Sequence, residues 1–229
     1  MQLFDTQIAE LETIIANNPF RELNITDQLL KDAGKNNMVF SDESAYELGG
    51  GDRVSLSYEL ASSKRCEDKI LLLGDDLSKI KEDVSFIRIA ILEVEDEKIK
   101  SDELYDRLEK IKFTKYRVSP EGYMLRTATG NHEKVRVSKK AAASSFANIG
   151  SAYLKAYHLL PYVKHVTLLF ITGESGLYEK LLEIGNRKTE ITQALDHMLK
   201  GILLNDCNTC SVKELCDAVE GMRQFHENT

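Results

Sequence analysis

Residues 54–60 read Val-Ser-Leu-Ser-Tyr-Glu-Leu, and this stretch decides how the fold is interpreted. Apolar and polar residues alternate along it, and a period of two is typical of a β-strand rather than a helix. The apolar face of the predicted strand comprises Val54, Leu56, Tyr58 and Leu60, and the polar face comprises Ser55, Ser57 and Glu59. Three glycines at 49–51 precede a strand, where a phosphate-binding loop would require a helix, so a hairpin turn is predicted there.

Apolar runs of strand length recur on the C-terminal side of this strand. They predict strands over residues 70–73, 86–94, 123–128, 135–137 and 163–172. Helical spacing predicts helices over residues 101–111, from near Ser138 to Pro161, and after Ser175 with a break near Gly185-Asn186. Strands and helices mix without strict βαβ alternation, which predicts an α+β (mixed α/β) fold: a mixed sheet with helices packed on it.

The two ends of the chain have patterns of their own. An apolar stripe through Phe4, Ile8, Leu11 and Ile15, followed by a shorter helical segment over residues 25–33, predicts an N-terminal helical hairpin. The predicted organisation is therefore a hairpin over residues 1–36, an α/β domain over 37–204 and a cysteine-rich tail over 205–229.

The tail carries three of the four cysteines, Cys207, Cys210 and Cys216, in a C-x2-C-x5-C pattern. Ser211 and Glu214 form a capping box, which predicts a short helix that bears Cys216. Three thiols near a helix N-terminus favour thiolates. The pattern predicts a metal site that holds an iron–sulfur cluster, or zinc as an alternative. Reduced thiols without a metal are the other interpretation.

A fourth ligand for this site is left open by the sequence. His226 follows Cys216 by ten residues, which on one helix is ~15 Å of rise and too far for a shared metal. Cys66 lies in a polar stretch that reads as a loop, and we predict that it is not a ligand. A water or a group from another chain would also complete the coordination.

Charge is unevenly distributed along the chain. The segment 112–140 carries eight basic and two acidic residues, a net of +6 within a chain of net −7. Four of these basic residues are candidates for an anion or cofactor site: Arg126, Lys134, Arg136 and Lys139. Arginine side chains beside a helix N-terminus suit a phosphorylated ligand. The alternative is a solvated sheet face that only balances an acidic molecule.

Composition limits the classes of function. A net charge of −7 argues against a nucleic-acid partner. The longest apolar run is too short to span a bilayer, and the first residues lack the basic and apolar regions of a signal peptide. With four cysteines and no export signal, a cytoplasmic location without a membrane partner is expected.

Several stretches resemble the middle region of the acetyl-CoA synthase family, the beta subunit of the acetyl-CoA decarbonylase/synthase complex, which works with carbon monoxide dehydrogenase. The resemblance covers roughly two-thirds of the chain. It is carried by residues 46–50 (Tyr-Glu-Leu-Gly-Gly), 54–60, 86–95, 134–140 (Lys-Val-Arg-Val-Ser-Lys-Lys), 149–150 and 163–172. The resemblance implies the family's scaffold fold and makes coenzyme A the first ligand to test on the basic segment.

The chain also departs from that family. Its reactive centre requires four cluster cysteines and a Cys-Gly-Cys tripeptide for nickel, and no Cys-x-Cys occurs here. Acetyl-CoA synthase activity by this chain alone is therefore not expected. The resemblance implies a stand-alone accessory protein of anaerobic one-carbon metabolism (CO, acetyl-CoA, corrinoid), with a corrinoid or one-carbon-pathway protein as partner. The alternative is an enzyme whose three-cysteine, open-coordinate cluster binds substrate.

Overall fold

A computed structural model describes residues 2–27, 38–95, 101–118, 120–173 and 176–199. Within these residues, five strands form a large mixed sheet and three strands form a small antiparallel sheet. The α+β fold with a mixed sheet and packed helices is therefore confirmed. The helices are α1 (Asp5–Ala16), α2 (Ser101–Phe113), α3 (Phe146–His158) and α4 (Tyr178–Leu199). Short 3₁₀ turns occur at Thr114–Arg117 and Ala141–Ala143.

The large sheet has the order β1-β4-β8-β5-β3, and the small sheet has the order β2-β7-β6. The strands are β1 (Arg21–Leu23), β2 (Ser44–Leu48), β3 (Ser55–Ser62), β4 (Lys69–Leu73), β5 (Phe86–Val94), β6 (Tyr123–Thr129), β7 (His132–Ser138) and β8 (Val163–Thr172). β3 runs parallel to β5 and β4 runs parallel to β8, whereas β5 and β8 are antiparallel. The six predicted strands are all present, and β5 and β8 have the predicted bounds. The short strands β1 and β2 were not predicted.

Both faces of the large sheet are covered, which explains why its central strands β5 and β8 are mostly apolar and buried along most of their length. On one face α3 packs through stacked rings of Phe86, Phe146 and Phe170. Gly150 of α3 lies so close to Ile70 that an added Cβ would be 2.8 Å from that side chain. The absence of a side chain at position 150 therefore sets the distance between helix and sheet.

The opposite face of the large sheet is covered by α1 and α4. Asp5 of α1 accepts a hydrogen bond from Ser62 on β3, and Gly185 of α4 packs on the ring of Tyr58. The free edge of β3 is covered as well, because the Ser57 N–H donates to the Asn131 carbonyl of the β6–β7 turn at 2.6 Å. This contact occupies one of the backbone groups that an edge strand would otherwise offer to another chain.

Two predictions about turns and helix ends are wrong. The glycines at 49–51 do not close a hairpin, because β2 pairs with β7 and β3 pairs with β5. They carry the chain from the small sheet to the large one. The helix predicted from near Ser138 begins only at Phe146. Ser145 caps it by accepting from the Ala147 N–H at 3.1 Å, and a 3₁₀ turn occupies the residues before it.

Two further predictions about helices need correction. Helix α4 runs without a break through Gly185, because a Cβ there would lie 2.9 Å from the Tyr58 ring and glycine serves close packing rather than termination. At the N-terminus, α1 is followed by β1, which pairs antiparallel with β4. Residues 25–27 are not helical, and the rest of the predicted second helix lies outside the described residues. Of the described helices, none is both long and apolar enough to cross a membrane.

Candidate functional site

A charged cluster lies in the core between the two sheets, and Arg88 of β5 is its centre. The side chain of Arg88 is fully buried. Its Nε donates to Glu133 Oε1 at 2.9 Å, and its Nη2 donates to Glu133 Oε2 at 2.7 Å. The same Nη2 also donates to Glu59 Oε1 at 2.9 Å and to Ser57 Oγ at 2.6 Å. One guanidinium therefore holds β3, β5 and β7 together.

Aromatic side chains of α3 complete the surroundings of Arg88. The guanidinium carbon lies 4.7 Å from the centroid of the Tyr153 ring, a cation–π geometry. Nη1 lies 3.4 Å from the Tyr157 hydroxyl oxygen. Burial raises the pKa of Tyr153 and of Tyr157, so both phenols stay neutral. The cluster is thus enclosed by uncharged rings.

The ionisation of Glu133 depends on Arg88. Burial by itself would raise the pKa of the Glu133 carboxyl, but the charge and hydrogen bonds of Arg88 outweigh it, so the pKa lies below its ordinary value. The opposing charge of Glu133 likewise outweighs burial at Arg88 and raises the pKa of the guanidinium. Both partners are therefore charged at neutral pH, and their charges are neutralised within the core.

This coupling predicts an acid sensitivity. A depressed pKa in the folded state stabilises the protein above the unfolded-state pKa, and that stabilisation is lost as pH falls through the folded-state value. We expect the free energy of unfolding of the wild type to fall more steeply below about pH 4 than that of Glu133→Gln. Urea titrations from neutral to acidic pH measure both slopes. Glu121→Gln, which removes an exposed partner of Lys140, serves as control and keeps the wild-type slope; equal slopes for Glu133→Gln and wild type would contradict the prediction.

The sequence contains a signal for this cluster, which is a single charge within an apolar run. Arg88 is the one charged residue in the run Phe-Ile-Arg-Ile-Ala-Ile-Leu over positions 86–92. Such a residue requires a buried partner. Ser57 and Glu59 lie on the polar face of β3, are buried, and supply two of the partners of Arg88. The predicted polar face thus points into the core and not into solvent.

The predicted anion site lies on the outer face of the small sheet. Arg126 Nη1 and Arg136 Nε both donate to Oε1 of Glu47, at 3.1 and 2.8 Å. Arg136 Nη1 also donates to the Val39 carbonyl at 3.1 Å. The structure therefore brings the two arginines together on one carboxylate, which neutralises one of their two charges.

The two lysines of the predicted anion site are bound to backbone. Lys134 Nζ donates to the Gly51 carbonyl at 3.4 Å, and Lys139 Nζ donates to the Asp42 carbonyl at 2.9 Å. Lys134 alternates with Val135 on β7 and so shares the outer face with Arg136. Anion binding by these four residues stays a prediction.

The cysteines of the predicted metal site, Cys207, Cys210 and Cys216, lie outside the described residues. Cys66 is described and partly buried, and its Sγ lies 3.8 Å from the Ile91 carbonyl oxygen. Burial raises the pKa of the Cys66 thiol, which disfavours the thiolate that binds metals. Within the described ranges, no group of three or more His, Cys, Asp or Glu side chains is arranged to hold a metal ion.

Comparison with known proteins adds no family. A scan against models of protein families finds no match to this chain. No curated protein matches it either.

Proposed function

We propose that this protein is a metal-binding accessory module of anaerobic one-carbon metabolism, with an iron–sulfur cluster or zinc held by Cys207, Cys210 and Cys216. The observation that carries the proposal is the C-x2-C-x5-C pattern. Three thiolates at this spacing are more typical of a metal site than of a disulfide framework. The α/β domain then acts as a scaffold that presents the tail.

The charge distribution of the described domain supports a scaffold role. Three of its buried ionic groups are paired, because Arg88 binds both Glu59 and Glu133. Groups that are paired in this way fix the relative positions of their strands and are not themselves free to act as an acid or a base. The resemblance to the acetyl-CoA synthase scaffold points to the same role, with a corrinoid or CO-handling protein as partner. Coenzyme A bound by Arg126, Lys134, Arg136 and Lys139 belongs to the same proposal.

The metal content of the wild type and of cysteine variants tests this proposal. We expect protein purified without oxygen to contain about four irons per chain if a cubane cluster is bound, or one zinc if the site is structural. Cys207→Ser, Cys210→Ser and Cys216→Ser should each lose most of the metal, because serine is a poor ligand for soft metals.

Cys66→Ser is the matched control, and it should keep the metal content of the wild type. Metal analysis and absorbance spectra of the reconstituted proteins measure the outcome. Wild-type metal content in all three tail variants would contradict the proposal. A cluster whose spectrum changes when a small substrate is added would favour the enzyme alternative over an accessory module.

A further inference from the structure

An exposed pair of aromatic rings lies at the C-terminal end of α2. Phe113 is the last residue of the helix, and Tyr116 belongs to the 3₁₀ turn that follows it. The ring centroids are 5.8 Å apart, and the two residues are 50% and 45% exposed. The other ring pairs of the described residues are buried in the core. Because exposed aromatic side chains are enriched at binding surfaces, the pair is a candidate contact site.

Other parts of the structure hold the two rings in place. The Tyr116 hydroxyl donates to the Ala128 carbonyl of β6 at 2.8 Å. The Nζ of Lys112 lies 5.6 Å from the centroid of the Phe113 ring. A surface that is already ordered loses little conformational entropy when a partner covers it, so more of the apolar gain remains as binding free energy.

The residues around the rings are basic. Residues 110–117 read Lys-Ile-Lys-Phe-Thr-Lys-Tyr-Arg, with four basic residues and no acidic one. Lys110 and Arg117 are exposed, and together with Phe113 and Tyr116 they are called the aromatic patch here. An apolar surface bordered by positive charge is complementary to an apolar segment that carries acidic residues.

The end of the chain supplies a segment of this kind. Residues 200–229 lie outside the described ranges, and their sequence predicts a helix over 211–222, the tail helix. Its apolar residues share one face at helical spacing: Val212, Leu215, Cys216, Val219 and Met222. The charged residues fall on the opposite side, three acidic and one basic: Glu214, Asp217, Glu220 and Lys213. A helix of this length is marginal in water by itself, so its apolar face needs a surface to pack on.

The linker before the tail helix is long enough to reach the aromatic patch. The tail follows α4, and α4 packs on α2. Residues 200–210 separate Leu199 from the tail helix, and a fully extended segment of this length spans up to about 36 Å. Helix α2 has 13 residues and is therefore only about 20 Å long. The tail helix can thus reach either end of α2.

We propose that the tail helix docks on the aromatic patch of its own chain. Its apolar face covers Phe113 and Tyr116, and its acidic residues lie beside Lys110 and Arg117. Docking holds the thiols of the tail against the α/β domain, whether or not they bind a metal. Metal analysis tests the thiols and hydrogen exchange tests the docking, so the two proposals can fail independently.

Hydrogen exchange of the full chain, followed by mass spectrometry, measures the docking. In the wild type the amides of the tail helix should be protected, because a helix of this length frays when it has no packing surface. Replacing both rings, Phe113→Ser with Tyr116→Ser, should accelerate their exchange about tenfold, because the apolar contact area is lost. Unchanged exchange of β5 and β8 shows that this variant is folded.

Leu159→Ser is the matched control for the ring variant. Leu159 follows α3 and is 67% exposed, so its replacement also removes apolar surface but leaves the aromatic patch intact. The tail helix of this variant should exchange as it does in the wild type. Equal exchange in the ring variant and the wild type overturns the proposal.

Charge reversal is a second test, and it alters only exposed positions of the domain. Lys110→Glu with Arg117→Glu should also accelerate exchange of the tail helix. Adding Glu214→Lys and Glu220→Lys to that variant should slow the exchange again, because opposite charges then face each other as before. Lys79→Glu, an exposed lysine between β4 and β5, is the control and should match the wild type. No acceleration, or no recovery in the charge-swapped variant, overturns the proposal.

Two conditions identify what covers the patch. Protection of the tail helix should be the same at protein concentrations about tenfold apart, because docking within one chain does not depend on concentration. Protection that rises with concentration assigns the patch to a second copy and overturns the proposal. In samples treated with a chelator the ring variant should still exchange faster than the wild type. Protection that requires metal but not the rings would mean that the metal alone orders the tail, and this also overturns the docking.

Discussion

Arg88→Met is expected to lower the free energy of unfolding by about 3–5 kcal/mol, because it leaves the Glu133 and Glu59 carboxylates buried without their cation. Methionine fills much of the volume of the arginine side chain. The loss of stability therefore reflects missing charge and hydrogen bonds more than missing packing. Urea denaturation followed by circular dichroism measures it.

Arg126→Met is the matched control for Arg88→Met. Arg126 also pairs with a glutamate, but its side chain is 40% exposed. An exposed pair contributes about 0–1 kcal/mol, so this variant should stay close to wild type.

A double variant, Arg88→Met with Glu133→Gln, should recover part of the loss, since it removes one of the stranded charges. Equal stability of Arg88→Met and Arg126→Met would show that the core cluster contributes little.

Gly74→Ala is expected to be the other strongly destabilising change. Gly74 follows β4 with φ +96°, and a Cβ there would lie 2.3 Å from the backbone oxygen of Thr172. The obstacle is backbone, which cannot rotate away. Adding about 1–2 kcal/mol for the left-handed backbone to about 1–3 kcal/mol for overpacking predicts a loss of roughly 2–5 kcal/mol.

Gly130→Ala separates these two contributions. Gly130 lies in the β6–β7 turn with φ +56°, and a Cβ there would meet no atom of the described residues within 4 Å. The loss of stability in Gly130→Ala should be limited to the cost of the left-handed backbone, about 1–2 kcal/mol. Thermal and urea unfolding of both variants give the difference. A Gly74→Ala protein no less stable than Gly130→Ala would mean that the contact with Thr172 relaxes freely.

The prediction of strands from the sequence succeeded where burial is continuous. Strands β5 and β8 are buried on both faces along most of their length. The β-branched and other apolar residues that favour a strand are also the residues that favour the core, so the local pattern and the tertiary environment predict the same structure. The predictions that rested on glycines, a hairpin at residues 49–51 and a helix break at Gly185, were wrong. Gly185 has the local appearance of a helix break, yet α4 continues because the residue packs on Tyr58 from a distant part of the chain.

The candidate sites, too, have features that the sequence predicted and features that only the tertiary structure shows. The basic residues on β6 and β7 were found from charge alone, but their shared contact with Glu47 of β2 required the register of the small sheet.

By itself the sequence determined six of the eight described strands, most helix positions, the α+β class and the thiol pattern of the tail, because each depends on neighbours within a few residues. Only the tertiary structure decided which polar residues are buried. Ser57 and Glu59 have the alternation of a solvated face, and they are buried because β7 crosses that face and places Glu133 opposite Arg88. A buried charge needs a partner, and the partners of Arg88 lie on strands that are distant from it in the sequence.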